Sequence, residues 1–300
     1  MSFARIYSHF VFGALGGLTG WYLAALWLHS DGVEITSEEQ LLRGAILGSC
    51  IGFGVGAFDG VDLRSAARLL RYGGVSLLLG LLAGAVALPA AQNLFDRFQT
   101  GSEPLVWQGT LCWILFGALI GLGEGVTKGT QAWKGVAGGM LGGMVGGGSY
   151  ELFGRTADGA SSQEQATLAL ALAALGGAIG AAVAYVTTLL RGAWVVINDG
   201  KLAKREFDVS KYVHPQLGAR RPGVIGSNGD IYLPGDSEVL PAHATISYVD
   251  GAPTLTASAE AVSQRRTTSV NGHPVQRWPL AHGDTIQIGN TSMTFRHKRR

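Results

Sequence analysis

The chain has 300 residues, of which 47% are hydrophobic and only 15% are charged, and its formal net charge at pH 7 is +2. Nucleic-acid-binding proteins usually carry a strong excess of basic residues, so the near-neutral charge excludes that class. The high apolar content is typical of membrane proteins. The composition is also uneven, because 36 of the 46 glycines precede Ala193. We therefore predict a glycine-rich transmembrane domain over residues 1–192 and a globular domain over residues 193–300.

Six apolar stretches are long enough to cross a bilayer, which takes about 20 residues each. They cover residues 7–28, 42–61, 73–92, 105–126, 135–153 and 167–190. The first stretch is longer than the core of a signal peptide and is followed by further spans, so we interpret it as an uncleaved helix. An even number of spans places both termini on the same side, and the fold prediction is a six-helix transmembrane bundle.

Basic residues in the short connections predict the orientation of this bundle. Arg64 and Arg68 follow the second span, Lys128 and Lys134 follow the fourth, and Arg191 follows the sixth. Cytoplasmic connections carry an excess of Lys and Arg. We therefore predict a multi-pass protein of a bacterial inner membrane with both termini in the cytoplasm.

Glycines recur every four residues within three of the predicted spans. Residues four apart share one face of a helix, so each series leaves a stripe without side chains where another helix backbone can approach. In water each glycine would cost a helix roughly 1 kcal/mol relative to alanine, which close packing in lipid offsets. The predicted packing residues are Gly48, Gly52, Gly56, Gly117, Gly121, Gly125, Gly139 and Gly143.

Short glycine-rich segments also repeat along this region. Residues 51–56 match residues 120–125 at an offset of 69 residues, and residues 175–180 form a looser copy. All three segments are predicted to run in the same direction across the membrane, so we interpret the region as three duplicated helical hairpins. The repeats lie inside apolar spans rather than between a strand and a helix, and so they do not predict a nucleotide-binding loop.

Glu124 is the most deeply placed ionisable residue of the predicted spans, between Gly123 and Gly125. A carboxylate facing lipid is costly, so two interpretations remain open. Glu124 lines a polar path through the helices, or it is an interfacial carboxylate near Lys128.

Beyond residue 193 the pattern changes to short apolar runs separated by Gly, Asn, Asp and Pro, which predicts an all-β domain. Five small motifs follow one another at residues 225–226, 230–233, 243–246, 270–272 and 283–289. In this order and roughly this spacing they resemble the forkhead-associated (FHA) domain. The resemblance implies a β-sandwich that reads phosphothreonine with loops at one end.

Several positions depart from the pattern of that family. Where the family has an Arg after the first Ile-Gly pair, a Ser followed by a basic residue before the His, and an Asn-Gly-Thr, this chain has Ser227, Leu240, Pro241 and residues 266–268. The resemblance thus implies a kept fold and an altered phosphate site, with His243 holding its loop through hydrogen bonds. The candidate partner-binding residues are Arg220, Arg221, Ser227, Asn228, Leu240, His243, Arg265, Arg266, Thr267, Thr268 and Asn271.

We find no nucleophile–base pair and no cluster of metal ligands in the sequence, so we predict no enzyme, no metal and no cofactor. Cys50 and Cys112 lie in apolar segments and are interpreted as small buried hydrophobes. The leading hypothesis is a membrane docking or assembly protein that binds a protein partner, and it leaves open whether that partner is phosphorylated and whether the chain forms homo-oligomers. Two alternatives remain: a small transporter or channel with a regulatory FHA-like domain, and a phosphothreonine-dependent signalling adaptor that uses substitute arginines.

Overall fold

The computed structural model describes residues 3–28, 36–98, 106–128, 132–154, 161–213 and 221–298. The chain divides into two compact units, Met1–Leu190 and Arg191–Arg300. The first unit is helical and the second is mainly β, so a helical N-terminal region followed by a β-sandwich is confirmed as the architecture.

The helical unit consists of long helices joined by short connections. They are α1 (Phe3–Trp27), α2 (Ser37–Asp62), α3 (Ala66–Phe98), α4 (Val106–Lys128), α5 (Ala132–Ser149), a π-helical turn (Tyr150–Gly154) and α6 (Ser162–Leu189). Two N-termini are capped by side chains: Thr36 accepts a hydrogen bond from the Glu39 N–H, and Ser161 forms a capping box with Glu164. These caps satisfy backbone donors that the first helical turn leaves unpaired.

The helices pack most closely in three pairs, α2 with α3, α4 with α5, and α6 with α1. The repeated segments identified in the sequence lie on α2, α4 and α6. Their first residues, Ile51, Ile120 and Leu175, are each at most 1% exposed. The core of the unit is therefore built around equivalent positions of the three repeats.

Glycine allows the backbones in each pair to meet directly. A Cβ atom added to Gly48 would overlap the carbonyl oxygen of Gly80, and one added to Gly121 would overlap that of Gly135. Between α1 and α6, Gly13 and Gly176 meet in the same way. Of the other predicted packing glycines, Gly52 and Gly56 face α3, while Gly117, Gly125, Gly139 and Gly143 lie at the contact of α4 with α5.

Five helical segments in the described residues are long and apolar enough to cross a membrane: Phe3–Trp27, Ser37–Asp62, Ala66–Ala87, Gly109–Val126 and Ser162–Leu189. The predicted span at 135–153 is not among them. It corresponds to α5, whose 18 residues include many glycines and therefore carry less apolar side chain. Large apolar residues elsewhere in the unit, such as Leu82, Leu111 and Leu170, are exposed on its surface.

The second unit has eleven strands within its described residues. They are β1 (Ala193–Ile197), β2 (Glu206–Asp208), β3 (Gly223–Gly226), β4 (Ile231–Tyr232), β5 (Ala244–Val249), β6 (Ala252–Ala257), β7 (Thr268–Val270), β8 (His273–Pro274), β9 (Arg277–Pro279), β10 (Thr285–Ile288) and β11 (Thr291–His297). Two short helices interrupt them, α7 (Ser210–Val213) and α8 (Ala259–Ser263).

These strands form two sheets, ordered β2-β1-β11-β10-β7-β8 and β4-β3-β5-β6-β9. Alternate residues of the strands point into one shared core, as the period-2 pattern of the sequence requires. Ile225 and Ile246 from one sheet and Ile286 and Phe295 from the other are fully buried there. Among the described residues the paired strands run antiparallel, except that β3 runs parallel to β4, where Ile225 lies opposite Ile231.

Candidate protein-interaction site

One end of the sandwich is formed by four connections, which we call the loop cluster: residues 227–230, 233–243, 264–267 and 289–290. The first two are joined backbone to backbone. The Ser227 N–H donates to the Leu240 carbonyl at 3.0 Å, and the Asn228 N–H donates to the Pro241 carbonyl at 3.3 Å. Gly226 permits this approach, since a Cβ atom there would overlap the Pro241 carbonyl oxygen.

His243 connects this pair of loops to β7. Its ring is fully buried, and its Nδ1 accepts the Leu240 N–H at 3.3 Å. Because Nδ1 is an acceptor, the neutral ring carries its proton on Nε2, which donates to the Thr268 hydroxyl at 3.1 Å. Burial lowers the pKa of His243 below its usual value, outweighing the neighbouring Thr267 backbone and Asp236, which raise it. The residue is therefore placed as a neutral structural bridge.

Asp236 fixes the 233–243 loop to the turn between β10 and β11. Its carboxylate accepts hydrogen bonds from the Asn290 N–H at 2.8 Å, the Thr291 hydroxyl at 2.9 Å and the Glu238 N–H at 3.0 Å. Partial burial acts to raise the pKa of Asp236, but these hydrogen bonds together lower it below its usual value. A carboxylate held by several donors stays ionised and keeps its loop in place.

Arg266 forms an ion pair with Glu238 across the loop cluster. Both side chains are partly exposed, at 30% for Arg266 and 45% for Glu238. Arg266 is one of the arginines that the sequence analysis considered as substitutes for the Arg that the family resemblance implies at position 227. Its guanidinium is engaged by a carboxylate of the same domain.

The remaining candidates fall into different places. Arg265 and Thr267 are exposed next to Arg266, and Arg265 has a left-handed backbone with φ of 53°. Arg221 precedes β3 and pairs with Asp230 at 2.9 Å. Arg220 lies outside the described residues.

Asn271 lies at the far end of β7 from Thr268, away from the loop cluster. Its side-chain amide donates to Asp284 at 2.9 Å, and its side-chain oxygen accepts from the Thr285 N–H at 2.9 Å. These bonds hold the turn before β8. Asn271 thus supports the fold rather than joining the other candidates.

The exposed groups of the loop cluster are mostly neutral and polar, with Asn228, Pro241 and Thr267 at the surface. Within the described part of the chain, no carboxylate pairs with the Arg265 guanidinium, and no three His, Cys, Asp or Glu side chains are grouped to hold a metal. The cluster can offer hydrogen bonds and one unpaired cation to a ligand.

Sequence reasoning did not find Asp236 or Glu238. Asp236 follows Pro234-Gly235, which is a turn signal, but nothing local indicates that its carboxylate reaches Asn290. The Glu238–Arg266 pair joins residues 28 positions apart. Such a contact depends on the tertiary arrangement of the loops and has no signature in the sequence.

The two packed sheets form a β-sandwich, and hydrogen bonds hold a cluster of loops at one end of it, where a ligand could bind. Residues 221–289 match the family model of the FHA domain, so this part of the chain is a divergent FHA domain fused to a helical region. The resemblance seen in the sequence is confirmed. FHA domains are protein-interaction modules rather than enzymes. A search of curated proteins found none that matches the chain.

Solved structures similar to the chain include FHA domains. One, studied for phosphothreonine-dependent FHA domain interactions, is 24% identical over 36% of this chain and 99% of its own, with a TM-score of 0.28. The FhaA FHA domain, complexed with the intracellular domain of a second protein, is 25% identical over 35% of this chain and 99% of its own, with a TM-score of 0.27. Mycobacterium tuberculosis EmbR with a low-affinity phosphopeptide is 14% identical over 97% of this chain and 72% of its own, with a TM-score of 0.28.

Proposed function

We propose that this chain is a membrane docking or assembly protein that presents its FHA domain to a cytoplasmic protein partner. The partner binds at the loop cluster, and binding does not require phosphothreonine. The observation that carries this proposal is the ion pair of Arg266 with Glu238. Two further positions of the loop cluster depart from the FHA pattern and hold Ser227 and Leu240.

The energetic argument rests on what these positions lack. A charge-assisted hydrogen bond to a phosphate contributes roughly 1.5–3 kcal/mol. Without the Arg at 227 and the Ser at 240, a phosphopeptide loses about 3–6 kcal/mol, which is a factor of roughly a hundred or more in affinity. Arg266 can offset this loss only if its ion pair with Glu238 breaks, and breaking that pair costs part of the free energy that binding the phosphate would provide.

The helical unit supports the membrane part of the proposal. It buries glycines and exposes residues such as Leu82, Leu111 and Leu170, the reverse of a water-soluble bundle. Extended apolar surface of this kind fits a lipid environment. The basic residues that follow spans two, four and six favour cytoplasmic termini, so the FHA domain would face the cytoplasm of a bacterial cell.

The test is a capture experiment with the full-length protein in detergent, immobilised and exposed to cell lysate with and without phosphatase treatment. We expect the same partner to be recovered in both lysates. Thr267→Arg places a long side chain in the loop cluster and should abolish recovery. His273→Arg places the same side chain at the exposed first residue of β8, near Asn271, and serves as the matched control, with recovery unchanged.

A partner lost after phosphatase treatment would contradict phosphate independence and favour the signalling adaptor. In that case Arg265 is the first substitute to examine, since it is exposed beside the Glu238–Arg266 pair. Recovery that Thr267→Arg leaves unchanged would place the binding surface elsewhere on the chain.

A further inference from the structure

The first strand of the sandwich follows a candidate membrane span almost without a linker. α6 is long and apolar enough to cross a bilayer, and it ends at Leu189. β1 begins at Ala193. An extended chain advances by at most about 3.6 Å per residue, so this connection is no longer than about 15 Å. With α6 in the membrane, as proposed above, β1 therefore begins near the bilayer surface.

The register of β1 with β11 shows that the start of β1 lies away from the loop cluster. Ala193 lies opposite His297, which is the last residue of β11. β11 begins at Thr291, directly after Asn290 of the loop cluster, and its 7 residues cover about 20 Å. The loop cluster and the start of β1 are therefore at opposite ends of the sandwich.

Basic and aromatic side chains share one face of the sheet at the start of β1. Trp194 lies opposite Arg296, and side chains of directly opposite residues project from the same face of a sheet. The Arg191 guanidinium lies 4.4 Å from the centre of the Trp194 ring. Lys298 continues the ladder, since its N–H donates to the Gly192 carbonyl at 2.8 Å. Arg296 and Lys298 are exposed, and Trp194 is partly exposed.

The two ends of the sandwich also differ in charge. The segments around the start of β1, which we call the basal surface, are residues 191–194, 206–211, 281–284 and 296–300. They contain six Lys or Arg and three Asp or Glu, whereas the loop cluster contains two and three. Arg299 and Arg300 of the basal surface lie outside the described residues. Of its acidic residues, Glu206 forms an ion pair with Arg191, and Asp208 accepts the Ser210 N–H at 2.8 Å. The basal surface is therefore positively charged, and the loop cluster is slightly negative.

We propose that the basal surface binds the anionic headgroups of membrane lipids and so holds the loop cluster away from the bilayer. Lys and Arg are attracted to anionic leaflets, and Trp favours the level of the headgroups. The span α6 tethers the surface at the bilayer, so contacts that are weak individually are enough to hold it there. The proposal rests on membrane insertion of the helical unit, and it is independent of what binds at the loop cluster.

The test uses the full-length protein in lipid nanodiscs made of phosphatidylcholine alone, or of phosphatidylcholine and phosphatidylglycerol in equal parts. Acetylation of each lysine by a water-soluble reagent is followed by mass spectrometry. We expect Lys298 to react at least about fivefold more slowly in the anionic discs, which is the gain that one basic residue provides at an anionic surface. Lys201 is exposed beyond the other end of β1 and should react equally in both.

A charge reversal on the basal surface tests which residues bind the lipid. Arg296→Glu places a carboxylate beside Trp194 and should return the reactivity of Lys298 in anionic discs to its value in phosphatidylcholine. Lys204→Glu makes the same change in charge at an exposed position of the β1–β2 connection and is the matched control, so Lys298 should stay protected. High salt should remove the protection in the unmutated protein, because it screens exposed charges.

The outcomes separate this proposal from the proposed function. A chain that does not enter the discs would contradict the membrane part of that function and lipid binding with it. A chain that enters them, but whose Lys298 reacts equally in both lipids, overturns lipid binding alone. The same holds if Lys204→Glu removes the protection as fully as Arg296→Glu. Protection that appears only after cell lysate is added, and in both lipids, would assign the basal surface to a protein partner instead.

Discussion

The two units of this protein solve the packing problem in opposite ways. In the helical unit the closest contacts are between backbones at glycines, as where Gly121 meets Gly135, and large apolar side chains lie outside. In the sandwich, side chains such as Ile246 and Phe295 fill the space between the sheets. Adding a side chain should therefore damage the first unit, and removing one should damage the second.

The largest effect is expected from Gly121→Leu in α4. Its side chain would occupy the position of the Gly135 backbone, so we expect little or no folded protein to be recovered from the membrane. Gly74→Leu in α3 is the matched control, because nothing lies within 4 Å of a Cβ atom at that glycine. Yield and thermal unfolding in detergent measure both. Equal recovery of the two variants would mean that backbone contact does not limit residue choice in the helices.

A large loss is also expected on removing a core side chain from the sandwich. Phe295→Ala deletes a fully buried ring of β11 and should cost about 3–5 kcal/mol. Arg296→Ala, at the next and exposed position, should have little effect. Hydrogen–deuterium exchange of peptides from β10 and β11 reports the difference. Similar protection in the two variants would contradict the assignment of this core.

His243→Ala should cost about 1–3 kcal/mol, since it leaves the Leu240 N–H and the Thr268 hydroxyl without their buried partner. The pH dependence follows from the lowered pKa of His243. Below about pH 6.5 the unfolded chain binds a proton that the folded domain refuses, so stability is full above that pH and is lost as the pH falls. Hydrogen–deuterium exchange rates in β5 at pH 7.5 and pH 5.5 measure this change in stability. In His243→Ala the stability should depend less on pH, because the contribution of the histidine is absent.

The smallest change in stability is expected for Glu238→Ala. The ion pair with Arg266 is partly exposed, so its loss should cost less than about 1 kcal/mol. The released guanidinium should, however, raise the affinity for phosphopeptides above that of the unmutated protein. Anisotropy titrations measure the change. A loss of stability well above 1 kcal/mol would show that the pair holds the loop cluster together.

The order of the small motifs in the sequence was enough to predict the FHA fold, because turn glycines and strand periodicity are local properties. The spacing of the glycines likewise placed Gly117 and Gly121 on one helical face. Local patterns did not indicate which helices pair, and in the structure α1 and α6 meet although they are distant in the sequence. His9 and Glu124 come together through that same arrangement and are more than a hundred positions apart.

The loop cluster was predictable only in part, because some of its features are local in the sequence and others are tertiary contacts. The substitutions at Ser227 and Leu240 are visible as departures from the family pattern. Two of the candidate arginines form ion pairs, Arg266 with Glu238 and Arg221 with Asp230. These pairs depend on the tertiary arrangement of the loops, and they determine which arginines can bind a ligand.

Phosphate independence of the FHA domain is tested most directly by titrating the full-length protein with paired threonine and phosphothreonine peptide libraries. We predict that no peptide gains low-micromolar affinity from the phosphate, because Ser227 and Leu240 provide no charge and Arg266 is held by Glu238. A phosphothreonine peptide that binds with low-micromolar affinity, while its unphosphorylated twin does not, would contradict this account of the domain.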